Sequence, residues 1–163
     1  RAFALSSESV SGRATHRIIG GPGGLPTDLF RQVRANLGIR ESAPVVEEFV
    51  RGAELGDQPL RLLGVDPFSE APFRDYLTAV RVDSENTDDN AFATLQAFTT
   101  IPGAILVSET LADRYSVEIG DSVTLRAGAQ EVVAQVVGLL QPDDRASEQA
   151  LDDLILGDIY LTR

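Results

Sequence analysis

The stretch from Gly103 to Leu140 constrains the fold more tightly than any other part of the chain. Ala104 to Val107 is a short apolar run, as in a buried strand. Ser108 is placed to cap a helix that carries Leu111 and Tyr115 one turn apart on one face. Gly120-Asp121 then turns the chain into a strand at Val123 to Leu125. Ala127 to Gln130 forms the next turn, and a longer strand runs to Leu140. Strand, short helix, turn and β-hairpin therefore follow one another within 40 residues or so, each joined by a connection of ordinary length.

Upstream, Arg13 to Ile19 alternates, with Ala14, His16 and Ile18 on one face, and reads as a strand. Gly20 to Leu25 is a loop. Pro26 suits the first turn of a helix, and Asp28 complements its positive end. Leu29, Val33 and Leu37 recur at helical spacing with Phe30 beside them, and Gly38 ends the helix as its C′ residue. Pro44 to Arg51 and Leu60 to Val65 read as two strands joined around Gly56-Asp57, and Asp66-Pro67 stops the second. Pro72 to Leu77 suggests one helical turn, Asp83 to Asn90 an acidic loop, and Ala91 to Phe98 a helix. Pro142 to Arg145 breaks the chain, Ser147 caps a helix through Leu154, and Ile155 to Leu161 reads as a final strand that rejoins the first half's sheet. Phe30, Phe49, Phe68, Phe73, Phe92 and Phe98 are expected in the core, although a lipid- or peptide-binding groove would use the same residue types.

The segments "VS-x-x-LA" (from Val107) and "IGD-x-V-x-L" (from Ile119), followed by "VVGLL" at Val136 to Leu140, resemble the extracytoplasmic domain of FtsX-like, MacB-type ABC transporter permeases. The segments "SSESVSGRATHRIIGGPGGLP", "PVVEEFV", "LRLLGVDPFSEAPFR" and "ALDDLILGDIYLT" extend the resemblance over most of the chain. It implies an α+β fold: a porter-like mixed β-sheet with packed helices plus a smaller β-rich subdomain. The porter-like part would take residues 1–95 and 147–163, and the β-rich part residues 103–142. It also implies a non-catalytic domain on the extracytoplasmic side of the cell membrane. Its partners would be transmembrane helices of the same polypeptide, a separate ABC ATPase subunit and an external partner protein. The domain would couple ATP-driven helix motion to export or handling of a substrate or partner outside the membrane. Both termini would then lie at one end of the domain.

Composition agrees with an ordinary globular protein: 163 residues, 43% apolar and 24% charged. The chain starts at Arg1 and contains no methionine, as expected of a processed chain or a fragment lying between two membrane spans. No stretch approaches the roughly 20 apolar residues that a membrane helix needs. The net charge is -11, and all 14 basic residues are arginine. Such a balance argues against nucleic-acid partners and against docking on anionic membrane surfaces. With no cysteine, thiol catalysis, disulfides and cysteine metal sites are excluded.

Candidate chemistry is sparse. Gly20, Gly21, Pro22, Gly23 and Gly24 lie between a strand and a helix, where phosphates are often held. A dinucleotide fingerprint would need glycine where Pro26 stands, and a P-loop needs a lysine this chain lacks. The segment is expected to be a tight connection, or else a mobile loop or partner surface. His16, the one histidine, is expected half-buried and hydrogen-bonded. Asp83, Glu85, Asp88 and Asp89 lack calcium-loop spacing and are expected to be solvated. Asp143-Asp144 and Asp152-Asp153 are read as a solvated turn and a helix face. Of Glu47-Glu48, one must point inward or lie at a strand edge, and the exposed edge is favoured. No cofactor or metal is indicated. The contrasting reading is a free-standing soluble binding protein for a small apolar ligand or peptide, marked by an enclosed apolar pocket. A hydrolase built on His16 would need an acid partner in a cleft.

Overall fold

The computed structural model describes residues 14–21, 23–70, 80–81, 87–141 and 151–158, with the side chains of 80–81 and 87–92 outside the description. The first described helix, α1, is Thr27–Ala35. Its C-cap is Asn36, so Gly38 falls one position beyond the C′ place expected for it. Gly38 takes φ +67°, and the N–H groups of Leu37 and Ile39 turn back to the carbonyls of Gln32 and Val33. Strands β1 (Val45–Gly52) and β2 (Pro59–Val65) follow, joined by a 3-10 turn at Ala53–Leu55. They pair antiparallel with Val50 opposite Leu60. The positive φ values of Gly56 (78°) and Asp57 (52°) make the turn, as their residue types predict. A short helix, α2 (Pro67–Glu70), stops the chain after β2.

Then come β3 (Val80–Arg81), α3 (Thr87–Thr100), β4 (Ala104–Ser108), α4 (Glu109–Tyr115), β5 (Ser122–Ala127), β6 (Gln130–Leu140) and β7 (Leu154–Asp158). The local signals around Ser108 hold. The Ser108 hydroxyl accepts from the Leu111 N–H at 3.1 Å. Ser116 closes α4 in the left-handed region at φ 54°.

The fold is α+β. All seven strands form one mixed sheet in the order β3-β6-β4-β7-β2-β1-β5. Strand β6 pairs with β5 through Gln130–Gln135 and with β4 through Gln135–Leu140. Six strands therefore close into a ring, and β3 adds to the outer edge of β6. The closure between β1 and β5 is narrow, two residue pairs at Arg51 and Gly52. Strand β7 enters the middle, parallel to β2 and antiparallel to β4. It thus rejoins the sheet of the first half, as expected, and also binds the second.

Both faces of the central strands are buried, which is why β4 and β7 read as unbroken apolar runs. One core takes side chains from every ring strand: Val50, Leu62, Ile105, Val123, Val136 and Ile155. The other lies on the opposite face, where Leu63, Leu106, Val137 and Leu156 meet Phe98 of α3. A register shift between β4 and β6 makes the two-sided packing possible. Val136 opposes Ile105 and Gly138 opposes Leu106, so one residue of β6 is extra. That bulge brings Val137 and Leu140, three apart, to the same face.

Several expectations need correction. Residues 14–19 form no strand, and His16 is exposed. Among the described residues, no strand pairs with them. The acidic loop expected at Asp83 to Asn90 ends earlier, because Thr87 already starts α3. Asp88 and Asp89 thereby fall in the first helical turn, where negative charge is favoured. Phe49 and Phe68 are not core: they are 65% and 70% exposed. Phe98 is fully buried, and Phe30 is half-buried. Asp152-Asp153 form a turn rather than a helix face, and β7 starts at Leu154, where the helix from Ser147 was expected to end. Phe73, the Pro72 to Leu77 turn, Asp83, Glu85, Asp143-Asp144, most of the helix expected from Ser147, and the relative position of the termini lie outside the described residues, as does the side chain of Phe92.

Candidate functional site

The glycine segment folds into a closed reverse turn. The Gly24 N–H donates to the Gly21 carbonyl at 2.8 Å, and Gly21 and Gly24 form a bridge pair. Gly24 takes φ +75°. At Gly20 a Cβ would stand 2.4 Å from the Gly24 carbonyl carbon, so a side chain there would wedge the turn open. Gly24 thus spends its N–H within the turn. The first turn of α1 then carries Asp28, whose carboxylate accepts from Gln32. Negative charge at that helix start repels an anion rather than attracting one. Pro22 lies outside the described residues.

The other sequence candidates remain scattered. His16 has Nδ1 3.0 Å from the Thr15 hydroxyl in an exposed setting. Glu47 and Glu48 are both exposed, and Arg17 reaches Glu47 at 3.4 Å. Asp152 and Asp153 pair with Arg114 (2.9 Å) and Arg61 (3.5 Å), which ties the turn before β7 to α4 and β2. Among the described residues, no group of three or more His, Asp or Glu could hold a metal ion.

The structure instead draws attention to the corner where β1, β2 and β5 meet. Asp57 accepts from Arg126, and its backbone carbonyl accepts from Arg51 Nη1 at 2.6 Å. Glu54 receives the Thr124 N–H at 2.6 Å and the Thr124 hydroxyl at 3.1 Å. Burial pushes the Glu54 carboxyl up. The Thr124 and Glu54 backbone N–H groups, the Thr124 hydroxyl and Arg126 outweigh it and hold the group below the usual glutamate value. An open groove of about 490 Å³ lies here, lined by Phe49, Val50 and Pro59 beside Arg51, Asp57 and Arg126. A carrier for a small apolar ligand would need an apolar enclosure, and this groove is open and rimmed by charge. Asp57 is engaged by Arg126, Glu54 by Thr124 and Arg51 by the Asp57 carbonyl, so the corner is a clasp that closes the sheet. Its partners are about 70 residues apart, and no local sequence pattern announces them.

Comparison with known proteins adds what geometry cannot. No protein-family model matches the chain. Over 159 residues it is 35% identical to the "Uncharacterized ABC transporter permease protein Rv0987" of Mycobacterium tuberculosis. The match takes in 98% of this chain but only 17% of that protein's length. Among solved structures, the periplasmic region of MacB from Actinobacillus actinomycetemcomitans aligns over 78% of this chain and 54% of its own. The TM-score is 0.39 and the identity 12%.

Proposed function

We propose, on the premise that this chain is a relative of one segment of an ABC transporter permease, that it is an extracytoplasmic domain of such a transporter. The observation that carries the reading is the match along almost the whole chain to a permease many times its length. The domain does no chemistry of its own. The hydrolysis of ATP belongs to a separate ATPase subunit, and the membrane helices belong to the same polypeptide as this domain. On this reading the chain couples the movement of those helices to export, or to handling of a substrate or partner protein outside the membrane.

The topology supports a mechanical role. Strand β7, the last described element, is hydrogen-bonded on both edges, to β2 and to β4. A displacement applied at the chain's C-terminal side enters the sheet at its centre. Sheet strands are stiff along their length, and both cores close on β7 through Leu154, Ile155 and Leu156. The push is therefore passed on as rigid-body movement rather than absorbed as local bending. On this reading the porter-like part (1–95 with 147–163) and the β-rich part (103–142) move together, since β7 pairs with a strand of each and the ring core draws on both.

This segment has no cysteine, so labelling of one placed in it is read against the unsubstituted full-length protein as the blank. Glu131 is exposed at the start of β6. In cells carrying the full-length protein, Glu131→Cys should react with a membrane-impermeant maleimide without permeabilisation. Labelling only after the membrane is breached would overturn the extracytoplasmic reading.

A further inference from the structure

The narrow closure at Arg51 and Gly52 leaves most of one side of β1 without a neighbour. Strand β1 pairs with β2 from Val45 to Arg51, but on its other side it meets β5 only at Arg51 and Gly52. From Val45 to Val50 that side carries no strand among the described residues. The Arg61 N–H turns toward β7, where it donates to the Asp153 carbonyl at 2.8 Å. Phe49, opposite Arg61, therefore points its own N–H and C=O away from β2. By the same alternation, Val45 and Glu47 present theirs to the uncovered side. The Phe49 N–H meets the carboxylate of its chain neighbour Glu48 at 3.3 Å. The groove lined by Phe49, Val50, Arg126 and Gly128 opens where β5 leaves this edge, so there is room beside it for a further chain. Glu47 and Glu48 are both exposed, and their side chains go to opposite faces. On the Glu47 face, Val45 (39% exposed) and Phe49 (65%) flank the acid at alternate positions.

We infer that this edge, Val45 to Val50, is a docking site for an extended basic segment of another protein, which adds to β1 as a further strand. Backbone pairing along Val45, Glu47 and Phe49 supplies the affinity, and side chains at alternate positions choose the partner. Adjacent basic residues answer Glu47 on one face and Glu48 on the other, since opposite charges set across a strand pair stabilise it. Apolar residues beside them meet Val45 and Phe49. The net charge of -11 steers a basic chain toward the domain. A second copy of this chain is a poor occupant. A two-fold pairing that continues the sheet runs antiparallel, and its registers of greatest overlap set Glu47, or else Glu48, directly against its counterpart. Arg17 reaches Glu47 at 3.4 Å between exposed side chains, but residues 14–19 form no strand. That contact shows the Glu47 carboxylate accepting a cation while the backbone edge stays unused. The site does not rest on the permease reading.

Fluorescence anisotropy tests it with the 163-residue chain and a labelled, capped peptide of valine and threonine around two adjacent arginines. That peptide should bind saturably, and the same peptide with glutamates in place of the arginines should not. A third peptide keeps both arginines but is N-methylated along its backbone. It cannot form a ladder and should bind at least about tenfold more weakly, which capture by charge alone would not show. Glu47→Arg with Glu48→Arg should reverse the choice, weakening the arginine peptide by about tenfold or more and admitting the glutamate one. Asp113→Arg with Glu118→Arg makes the same change of charge at exposed positions outside β1 and should keep the preference for arginine. All four side chains are exposed, so thermal melting should confirm that both variants are folded. No binding to the wild type, equal binding of the N-methylated peptide, or equal effects in the two variants would overturn the inference. So would exchange of the Val45, Glu47 and Phe49 amides as slow as in β2 before any peptide is added, since a segment of this chain would then already cover the edge. A dimer in sedimentation analysis that the peptide dissolves would overturn it too, because the edge would belong to a second copy. Labelling at Glu131→Cys does not involve this edge, so failure here leaves the transporter reading standing.

Discussion

The centre of the sheet and the segment before it obey opposite rules. In β4 every residue is buried, and in β7 four of five are. In α1 one residue of nine is buried, and the chain around it leaves isoleucine and leucine in solvent. Both segments are rich in aliphatic side chains. What separates them is charge and company. Strands β4 and β7 have partners on both edges and side chains packed on both faces, whereas the segment before β1, residues 14–40 (the arm), intersperses its apolar residues with arginine. Apolar content alone therefore does not mark a core, and a whole-chain charge does not describe a surface.

The difference is best broken by substitutions made in pairs. Leu106→Ala in β4 should cost about 2–5 kcal/mol in denaturant unfolding, since the cavity opens in a packed core. Leu37→Ala, 69% exposed, should stay within about 0.5 kcal/mol. Equal costs would mean that the arm is packed as tightly as the sheet.

Two glycines sharpen the same contrast. At Gly56 a Cβ would lie 2.4 Å from the Tyr115 hydroxyl, and φ is +78°. Gly56→Ala should cost about 2–4 kcal/mol, backbone strain and overpacking together. Tyr115→Ala in the same chain should recover part of that loss, because the two residues are in contact. Gly24 has φ +75° but open space around its Cβ position. Gly24→Ala should cost only the backbone strain, about 1–2 kcal/mol.

A smaller effect is expected at the helix caps. Ser108→Ala removes the hydroxyl that holds the Leu111 N–H and should cost about 1 kcal/mol. Helix α1 starts at Pro26 without a side-chain cap and has no such bond to lose.

The smallest effect is electrostatic. The folded Glu54 carboxyl lies below its ordinary value, so the unfolded chain takes up the proton first. Its stabilisation is complete above the ordinary glutamate value and is lost as pH falls through the folded one. Glu54→Gln should flatten the acid limb of the stability curve.

What the sequence made legible was local. The β1–β2 turn at Gly56-Asp57, the Ser108 cap and the β5–β6 hairpin each rest on residues within a few positions of one another. The arrangement of the sheet was less legible, because β7 lies between β2 and β4 by contacts about 50 to 90 residues distant in sequence. Residues 14–19 show the converse failure. Alternation records a face but supplies no partner, and a strand without one has no ladder to hold it. Phe49 and Phe68 show that aromatic residues on a strand edge or beside a proline need not turn inward. In the candidate site, the absence of lysine and the position of Pro26 argued against phosphate chemistry at Gly20 to Gly24, but the closing of the turn by the Gly24 N–H on the Gly21 carbonyl was not legible. The Glu54–Thr124 and Asp57–Arg126 pairs had no signal at all.

Amide hydrogen exchange of the 163-residue chain tests the division most directly. The amides of β2, β4 and β7 should exchange only through global unfolding, and those of residues 14–21 and 23–40 orders of magnitude faster. Exchange in that segment as slow as in β4 would contradict the account.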